Sequence, residues 1–476
     1  MTKLHREENA VMKAWKIEHD TINAAKPILL DDTSENWLKY EEAGNAYDKK
    51  LYNDWKNYVP GSLAPCQLIL ATIQATENRG YDVSAAEELL PDALAAYDAK
   101  DMKALNVLTA RIYAELRRAP KNAGHRAWSF KRYSTFKDVL AEMDFSAAGN
   151  YSPEAPDYEA RVRAGWIAQI AGASVGTQME GYCTPKIIEA YGDITGYLRE
   201  PETYNDDLTY EIVFLEVFGE KGYDVTSEDI AFGWAALIPN GYSAEETALN
   251  NIRQGIMPPE SGTHGNFFCD WIGAQMRTAV HGLVAPGNPA LAAELAWRDS
   301  VVSHANNGAL GGVFNAVLTS LAFTEADVRI LLEKAIAMIP AKSEYYQIVS
   351  TALAECKKRE SWLDTWAILE EKNKRYHWIH AYPNAAAEIV ALYYGNGDFD
   401  KTLNIVCQAG RDTDCNAGMI MTVIGVMQKQ VAEKWSEPLH GTIRTYMRDY
   451  KEFSFDSLVS WTVESAQRAY RLKEGK

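Results

Sequence analysis

The sequence predicts an all-α protein, on three observations. Residues 67–76 and 85–118 carry apolar side chains at three- and four-residue spacing, in segments rich in Ala, Leu, Glu and Lys. Within 163–182, Ala164, Ala168, Gly172 and Gly176 recur every four residues. That spacing puts small side chains in a ridge on one helix face, where a second backbone can approach closely, and it describes a buried central helix. β signals are few: only 28–30, 138–143 and 187–194 are expected to hold short strands.

In chain order, Pro60-Gly61, Arg79-Gly80 and Ala119-Pro120 punctuate a mostly helical first segment that carries no recognisable chemistry. Its aromatics Trp15, Trp37, Tyr40, Trp55 and Tyr58 are read as helix-packing residues, with a sugar-binding groove as the alternative. Gly149, Asn150, Ser152, Pro153 and Pro156 then interrupt the pattern. They mark a boundary between an N-terminal accessory region, 1–150, and a main domain, 151–476. Beyond them, helix-like segments alternate with short Gly/Asn/Pro loops, and 454–471 reads as a terminal helix docking on the body.

The 476 residues are 47% hydrophobic and 24% charged, with a net charge of −17. This is ordinary globular composition, and its sign argues against a nucleic-acid surface. An anionic substrate would meet an unfavourable field, so a phosphate site needs local cations or helix N-termini. The six cysteines are scattered without C-x-x-C or zinc-ligand spacing. The first twenty residues lack the apolar core of a signal peptide, and no apolar run approaches a membrane span. The expectation is a soluble cytoplasmic protein without nucleic-acid or membrane partners.

Two acidic clusters carry the chemistry. Asn205-Asp206-Asp207 opens one helical run, and Asp412-Thr413-Asp414-Cys415-Asn416, after Gly410-Arg411, opens another. Capping of first-turn N–H groups explains one acid at each start. Four carboxylates meeting in an interior are costly unless a cation joins them, and hard divalent cations take such oxygen ligands. Glu180, at the C-terminal end of the small-residue ridge, is unfavourable with the helix dipole and needs a compensating partner, an Arg or solvent serving equally. Between the clusters lie Asp270 to Arg277 and Ser303-His304-Ala305-Asn306-Asn307-Gly308. Arg277 either pairs with a phosphate or neutralises a structural acid such as Asp299. His304 is a ligand, a substrate contact or a hydrogen-bonded structural residue. The loop-to-helix start His380 to Asn384 is equally ambiguous.

Taken in order over roughly 160–470, these segments resemble the ADP-ribosylglycohydrolase family. Gly172-Ala173-Ser174-Val175-Gly176 through Glu180 is similar to its G-D-x-x-G-x-x-x-E, and Asn205-Asp206-Asp207-Leu208 to its T-D-D-T. Trp271 to Arg277 stands where the family has a Gly-rich loop ending in M-R. Ser303-His304 resembles its S-H or T-H element, and Asp412-Thr413-Asp414-Cys415 its D-T-D-T. The D-W-I-G-A-Q-M-R, S-H-x-x-N-G and D-T-D-C-N wording resembles a bacterial branch.

The resemblance implies an all-α orthogonal bundle with an N-terminal helical extension, holding two Mg²⁺ ions, with Mn²⁺ an alternative. It implies hydrolysis of the glycosidic bond at the anomeric carbon of an ADP-ribosyl group, carried on a small molecule or a protein. The metals would grip vicinal hydroxyls and activate water, and carboxylates would stabilise an oxocarbenium-like state. Carried over, Glu180 and Asp412 would be catalytic. Asn205, Asp206, Asp207, Asp412, Asp414 and Cys415 would form the metal set, and Gly273, Arg277, His304, Asn307, Asn384 and Asn416 would contact substrate. This chain departs from the pattern at Ala173, Leu208 and Cys415, and thiol sulfur is a poor ligand for Mg²⁺. Another furanoside or nucleoside on the same site, or a catalytically silent metal-stabilised scaffold, are the alternatives.

Overall fold

The computed structural model describes residues 13–27, 38–56 and 67–475, without the side chains of 38–40. Residues 28–30, Trp37, Tyr58, Pro60-Gly61, Cys66 and the Tyr40 side chain therefore lie outside the described residues. The chain divides into two units, Met1–Leu51 and Tyr52–Lys476. The smaller holds the helix Ala14–Ala24, where Trp15 is exposed, and most of Leu38–Trp55. The division differs from the boundary read near 147–156, because residues 52–150 belong to the larger unit. Backbone and side-chain bonds tie them there: Lys131 N donates to Lys342 O (3.0 Å) and Tyr133 N to Asn306 Oδ1 (2.9 Å). Trp55 is buried, its Nε1 donating to Thr109 Oγ1 (2.9 Å), so this aromatic packs helices.

The architecture is all-α, and the one sheet among the described residues is a two-stranded antiparallel ribbon, Thr442–Arg444 against Glu452–Ser454. Two expected strands are helices instead. Segment 138–143 begins inside Phe136–Leu140, which Thr135 caps by accepting from Asp138 N (3.2 Å). Segment 187–194 begins inside Thr184–Tyr191, where Pro185 sits in the first turn and its missing N–H costs nothing. The periodic run 85–118 is broken into Ser84–Glu87, Leu90–Asp98 and Met102–Arg118, the last capped by Asp101 after a left-handed Lys100. Among the described residues no helix is long and apolar enough to cross a membrane.

The helix Tyr158–Gly176 is the central one, buried along most of its length. It lies on Thr413–Gln428, and the small-residue ridge is the contact. A Cβ at Gly172 would fall 2.7 Å from the Ala417 carbonyl, and one at Gly176 would collide with the Thr413 carbonyl. On the opposite helix, Gly425 takes the Ala164 carbonyl in the same way. The terminal helix Phe455–Glu474 docks on the far side, where Trp166 Nε1 donates to Thr462 Oγ1 (3.0 Å). Every residue of Asn307–Leu321 is buried, and with Ala381–Gly395 this helix completes the core around the site.

The core contains buried carboxyls as well. Glu388 accepts at Oε1 from Gln275 Nε2 (3.0 Å) and Asn315 Nδ2 (3.3 Å), and Glu211 accepts at Oε2 from Gln169 Nε2 (2.6 Å). Burial pushes each up to about 8.

Two outcomes follow from this packing. Gly172→Ala should destabilise by about 1–3 kcal/mol through overpacking against backbone. Gly418→Ala, whose added methyl meets nothing nearer than 3.7 Å, should be neutral or stabilise by up to about 1 kcal/mol through helix propensity. Urea unfolding of both variants measures the contrast, and equal effects would mean the ridge is not the constraint. For Glu388 and Glu211, the folded state holds protons that an unfolded chain releases above the ordinary value of 4.5. Stability is therefore lost as pH rises from that value towards 8. Glu388→Gln removes one such proton, so its melting temperature relative to wild type should climb between about pH 5 and pH 8. Parallel melting curves would contradict the assignment.

Candidate metal centre and cleft

Each acidic cluster is built by a helix start. Asn205 caps Asp206–Lys221, its Oδ1 accepting from Leu208 N (3.0 Å) and its Nδ2 donating to Asp207 Oδ2 (2.8 Å). The oxygen read from sequence as a ligand is thus an N-cap acceptor. Asp412 holds the N-cap position of Thr413–Gln428 without a side-chain capping bond, which leaves its carboxylate for other neighbours. Gly410 and Arg411 both have positive φ (72° and 74°), which turns the chain sharply into that helix. Arg411 O accepts from Gly181 N (2.7 Å) and Arg411 N donates to Tyr182 O (3.3 Å). This two-way pairing fixes the Glu180 turn beside the Asp412 turn.

Glu180 does not continue the helical ridge. The helix ends at Gly176, and Glu180 lies buried in the turn that follows, where its charge acts on Asp412. Burial first, then the Asp414 charge, pushes Asp206 up to about 6. Burial and the charges of Asp206 and Asp414 drive Asp207 well above the usual carboxylate range. Burial, Asp414 and Glu180 do the same to Asp412, and burial raises Asp414. The structure therefore brings Glu180 and all four aspartates into one cluster, buried except for the half-buried Asp206.

Cys415 joins them. Its ligand atom and those of Asp412 and Asp414 all lie within 4.8 Å of one another. Among the described residues the four aspartates form no ion pair, and two buried acceptors, Asp207 Oδ1 and Asn416 Oδ1, have no partner. An oxygen-rich set of clustered like charges with orphaned acceptors is one that a divalent cation compensates.

The residues expected to contact substrate divide into two groups. Asn384 and Asn416 stand behind the cluster: Asn384 Oδ1 accepts from Asp412 N (3.1 Å) and Asn416 Nδ2 (2.8 Å), while its Nδ2 donates to Trp378 O and His380 O. Gly273, Arg277, His304 and Asn307 do not line the cleft described below. Arg277 is wholly buried, with Nε on Asp299 Oδ1 (2.6 Å), Nη1 on Glu245 Oε1 (2.8 Å) and Gly273 O (2.6 Å), and Nη2 on Ser303 Oγ (2.9 Å). Of the two alternatives for this arginine, neutralising Asp299 is the one realised. Gly273 is glycine because a Cβ would occupy the Glu245 carboxylate. His304 is buried and kept neutral by burial and by Arg277, its Nδ1 2.7 Å from Ser303 Oγ. Asn307 Oδ1 accepts from Tyr345 N (3.2 Å).

Asp206 and Asp414 open onto a cleft of about 650 Å³. Tyr204, Tyr242 and Tyr446 form its aromatic walls, with the Tyr204 and Tyr446 rings 5.8 Å apart, and Arg199 and Arg444 stand at its rim. Sequence reading missed these residues. Arg444 ends a ribbon strand whose backbone N donates to Thr203 Oγ1 (2.9 Å), a tertiary link with no local pattern.

Fold and site together define an all-α protein with a carboxylate-centred cleft. The family described as ADP-ribosylglycohydrolase matches residues 154–470, a span that includes every acidic residue of the cluster. The chain belongs to the ADP-ribosylglycohydrolase family. An uncharacterised protein of Archaeoglobus fulgidus is 23% identical over 278 residues, covering 56% of this chain and 88% of that protein. A solved chain described as an ADP-ribosylglycohydrolase-related protein complex aligns with a TM-score of 0.47 at 16% identity, covering 66% of this chain and 99% of that one.

Because Arg277 neutralises two buried acids, Arg277→Met should cost about 3–5 kcal/mol of stability. Denaturant unfolding checks this. Unchanged stability with weakened ligand binding would return Arg277 to the substrate side.

Proposed function

We propose that the protein is a divalent-metal-dependent hydrolase that cleaves the glycosidic bond at the anomeric carbon of an ADP-ribosyl group. The observation that carries this reading is the convergence of Asp206, Asp207, Asp412 and Asp414, with Glu180, at one side of a cleft rimmed by two arginines. The four aspartates would hold two ions, Mg²⁺ or Mn²⁺. When bound, these ions supply positive charge and Lewis acidity at the ribose hydroxyls.

The protein's own residues do the rest. A cleft of about 650 Å³ suits a small organic ligand. Arg199 and Arg444 bring the local positive charge that a pyrophosphate needs against a net charge of −17. The tyrosine faces offer surfaces for ribose or base. Glu180 follows the backbone pairing of Gly181 with Arg411 and lies buried at the edge of the carboxylate cluster, beside Asp412. There it carries a proton to or from the glycosidic oxygen.

One observation favours a second reading. Ala173 and Leu208, which depart from the family's pattern, line a small cavity with Asp207 beneath the cluster. The altered wall beside the carboxylates fits a changed glycone, a nucleoside or another furanoside. The silent-scaffold alternative has less support, because the five acids remain together, Asp206 facing the cleft and the other four buried.

The test combines binding and turnover. ADP-ribose with Mg²⁺ or Mn²⁺ should raise the melting temperature, equivalent to about 2.7 kcal/mol at a hundredfold excess over Kd. ADP-ribosylated substrates should turn over, and Asp412→Asn should abolish turnover while the fold survives by circular dichroism. Turnover restricted to synthetic furanosides or nucleosides would transfer the assignment to the second reading. No turnover and no binding in either set would leave only the scaffold.

A further inference from the structure

The family's pattern has an oxygen-bearing side chain where this chain has Cys415, and the surroundings of that sulfur are unusual for a packing residue. Cys415 is buried, and its ligand atom and those of Asp412 and Asp414 lie mutually within 4.8 Å. A second sulfur, Met276 Sδ, sits 3.7 Å from Cys415 Sγ and is buried as well. Asp207, 2% exposed, has an Oδ1 with no partner among the described residues and interacts electrostatically with Cys415. The position is bounded by carboxylates and sulfur, with an acceptor unused.

We infer that Cys415 is itself a ligand, and that the position bounded by Asp412, Asp414 and Cys415 takes a borderline transition-metal ion of the Fe²⁺, Co²⁺ or Zn²⁺ class in preference to Mg²⁺. This rests on the reading of the cluster as a metal centre and names the metal class it selects. Hard Mg²⁺ gains little from sulfur, whereas thiolate with carboxylates suits the later divalent ions. The step is ligand exchange without redox change: the S–H bond breaks, a sulfur–metal bond forms, and the thiol proton leaves to solvent together with any proton that Asp412 holds.

The full chain, stripped with chelator, is titrated with Co²⁺ alone and followed by absorption. A near-ultraviolet sulfur-to-cobalt charge-transfer band should grow in step with the visible cobalt bands. Cys415→Ser should lose the near-ultraviolet band, keep the visible ones, and bind Co²⁺ at least about tenfold more weakly, with Mg²⁺ binding no weaker than in wild type. Cys415→Thr is the second variant should the serine protein fail to fold. Visible bands without the near-ultraviolet one in the wild type would overturn the inference and leave the metal centre standing. A band that persists in either variant would assign it to another thiol, the exposed Cys183 foremost, and overturn the inference equally. Absence of any Co²⁺ binding by equilibrium dialysis would remove the metal centre together with the inference.

Discussion

The contact on which the site depends is backbone against backbone, where Tyr158–Gly176 crosses Thr413–Gln428. Gly172 faces the Ala417 carbonyl and Gly176 the Thr413 carbonyl, with no side chain between. Leucine-on-leucine packing leaves helices about 8–10 Å apart and can relax through rotamer changes. A glycine pressed on a carbonyl has no such freedom. Thr413 Oγ1 adds a bond to Gly176 O (2.6 Å), so the first turn of the second helix is pinned to the last turn of the first. Glu180 leaves one helix within four residues of that contact, and Asp412 and Asp414 flank it on the other. Their proximity follows from missing side chains elsewhere.

Two buried charged groups lie side by side in this core, and their balance differs. Around Arg277, two carboxylates meet one guanidinium, and donors on all three of its nitrogens are used by Asp299, Glu245, Gly273 and Ser303. Trp234 stacks beneath the arginine, its ring centre 4.8 Å away. One buried oxygen of that network, Asp299 Oδ2, has no hydrogen bond among the described residues, and His281 Nε2 lies 3.7 Å from it. Among the described residues the four aspartates have no cation in contact, although the Arg277 charge reaches Asp206 from behind. The first pair of acids shares a buried guanidinium, and the four aspartates have no such cation in contact among the described residues. The presence of a paired guanidinium, more than the number of acids, distinguishes the two clusters.

Much of this was legible in the sequence. A four-residue recurrence of small side chains has few meanings on a helix, and the close crossing at Gly172 and Gly176 is the expected one. Acid pairs at helix starts were visible because capping accounts for only part of them. What was not legible has physical reasons. Periodicity does not register where a helix stops, so Glu180 was read as part of the ridge, although the chain leaves helical geometry after Gly176. Strands of three residues, as in Thr442–Arg444, are too short to alternate. Arg199, Arg444 and the cleft tyrosines come from segments joined only by tertiary bonds. For Arg277, sequence offered a phosphate and an internal acid as partners, and only burial chooses between them.

The charges of the cleft bear on which ligand it serves. Arg444 and Glu202 are both about half exposed and 3.9 Å apart, a pair that solvent and salt weaken almost to nothing. Arg199 meets the Gln178 amide, whose oxygen accepts from Nε (2.9 Å) and Nη1 (3.2 Å) in the orientation that satisfies both groups, and it forms no ion pair among the described residues. Neither guanidinium is locked as Arg277 is, so each can turn to an incoming anion at small cost. A neutral furanoside would gain nothing from two such arginines, and the global charge would not otherwise favour them at this edge. A ligand with a diphosphate would meet both while its ribose reached Asp206 and Asp414. The rim thus supports the phosphate-bearing reading, and Ala173 and Leu208 line a separate small cavity, not this cleft.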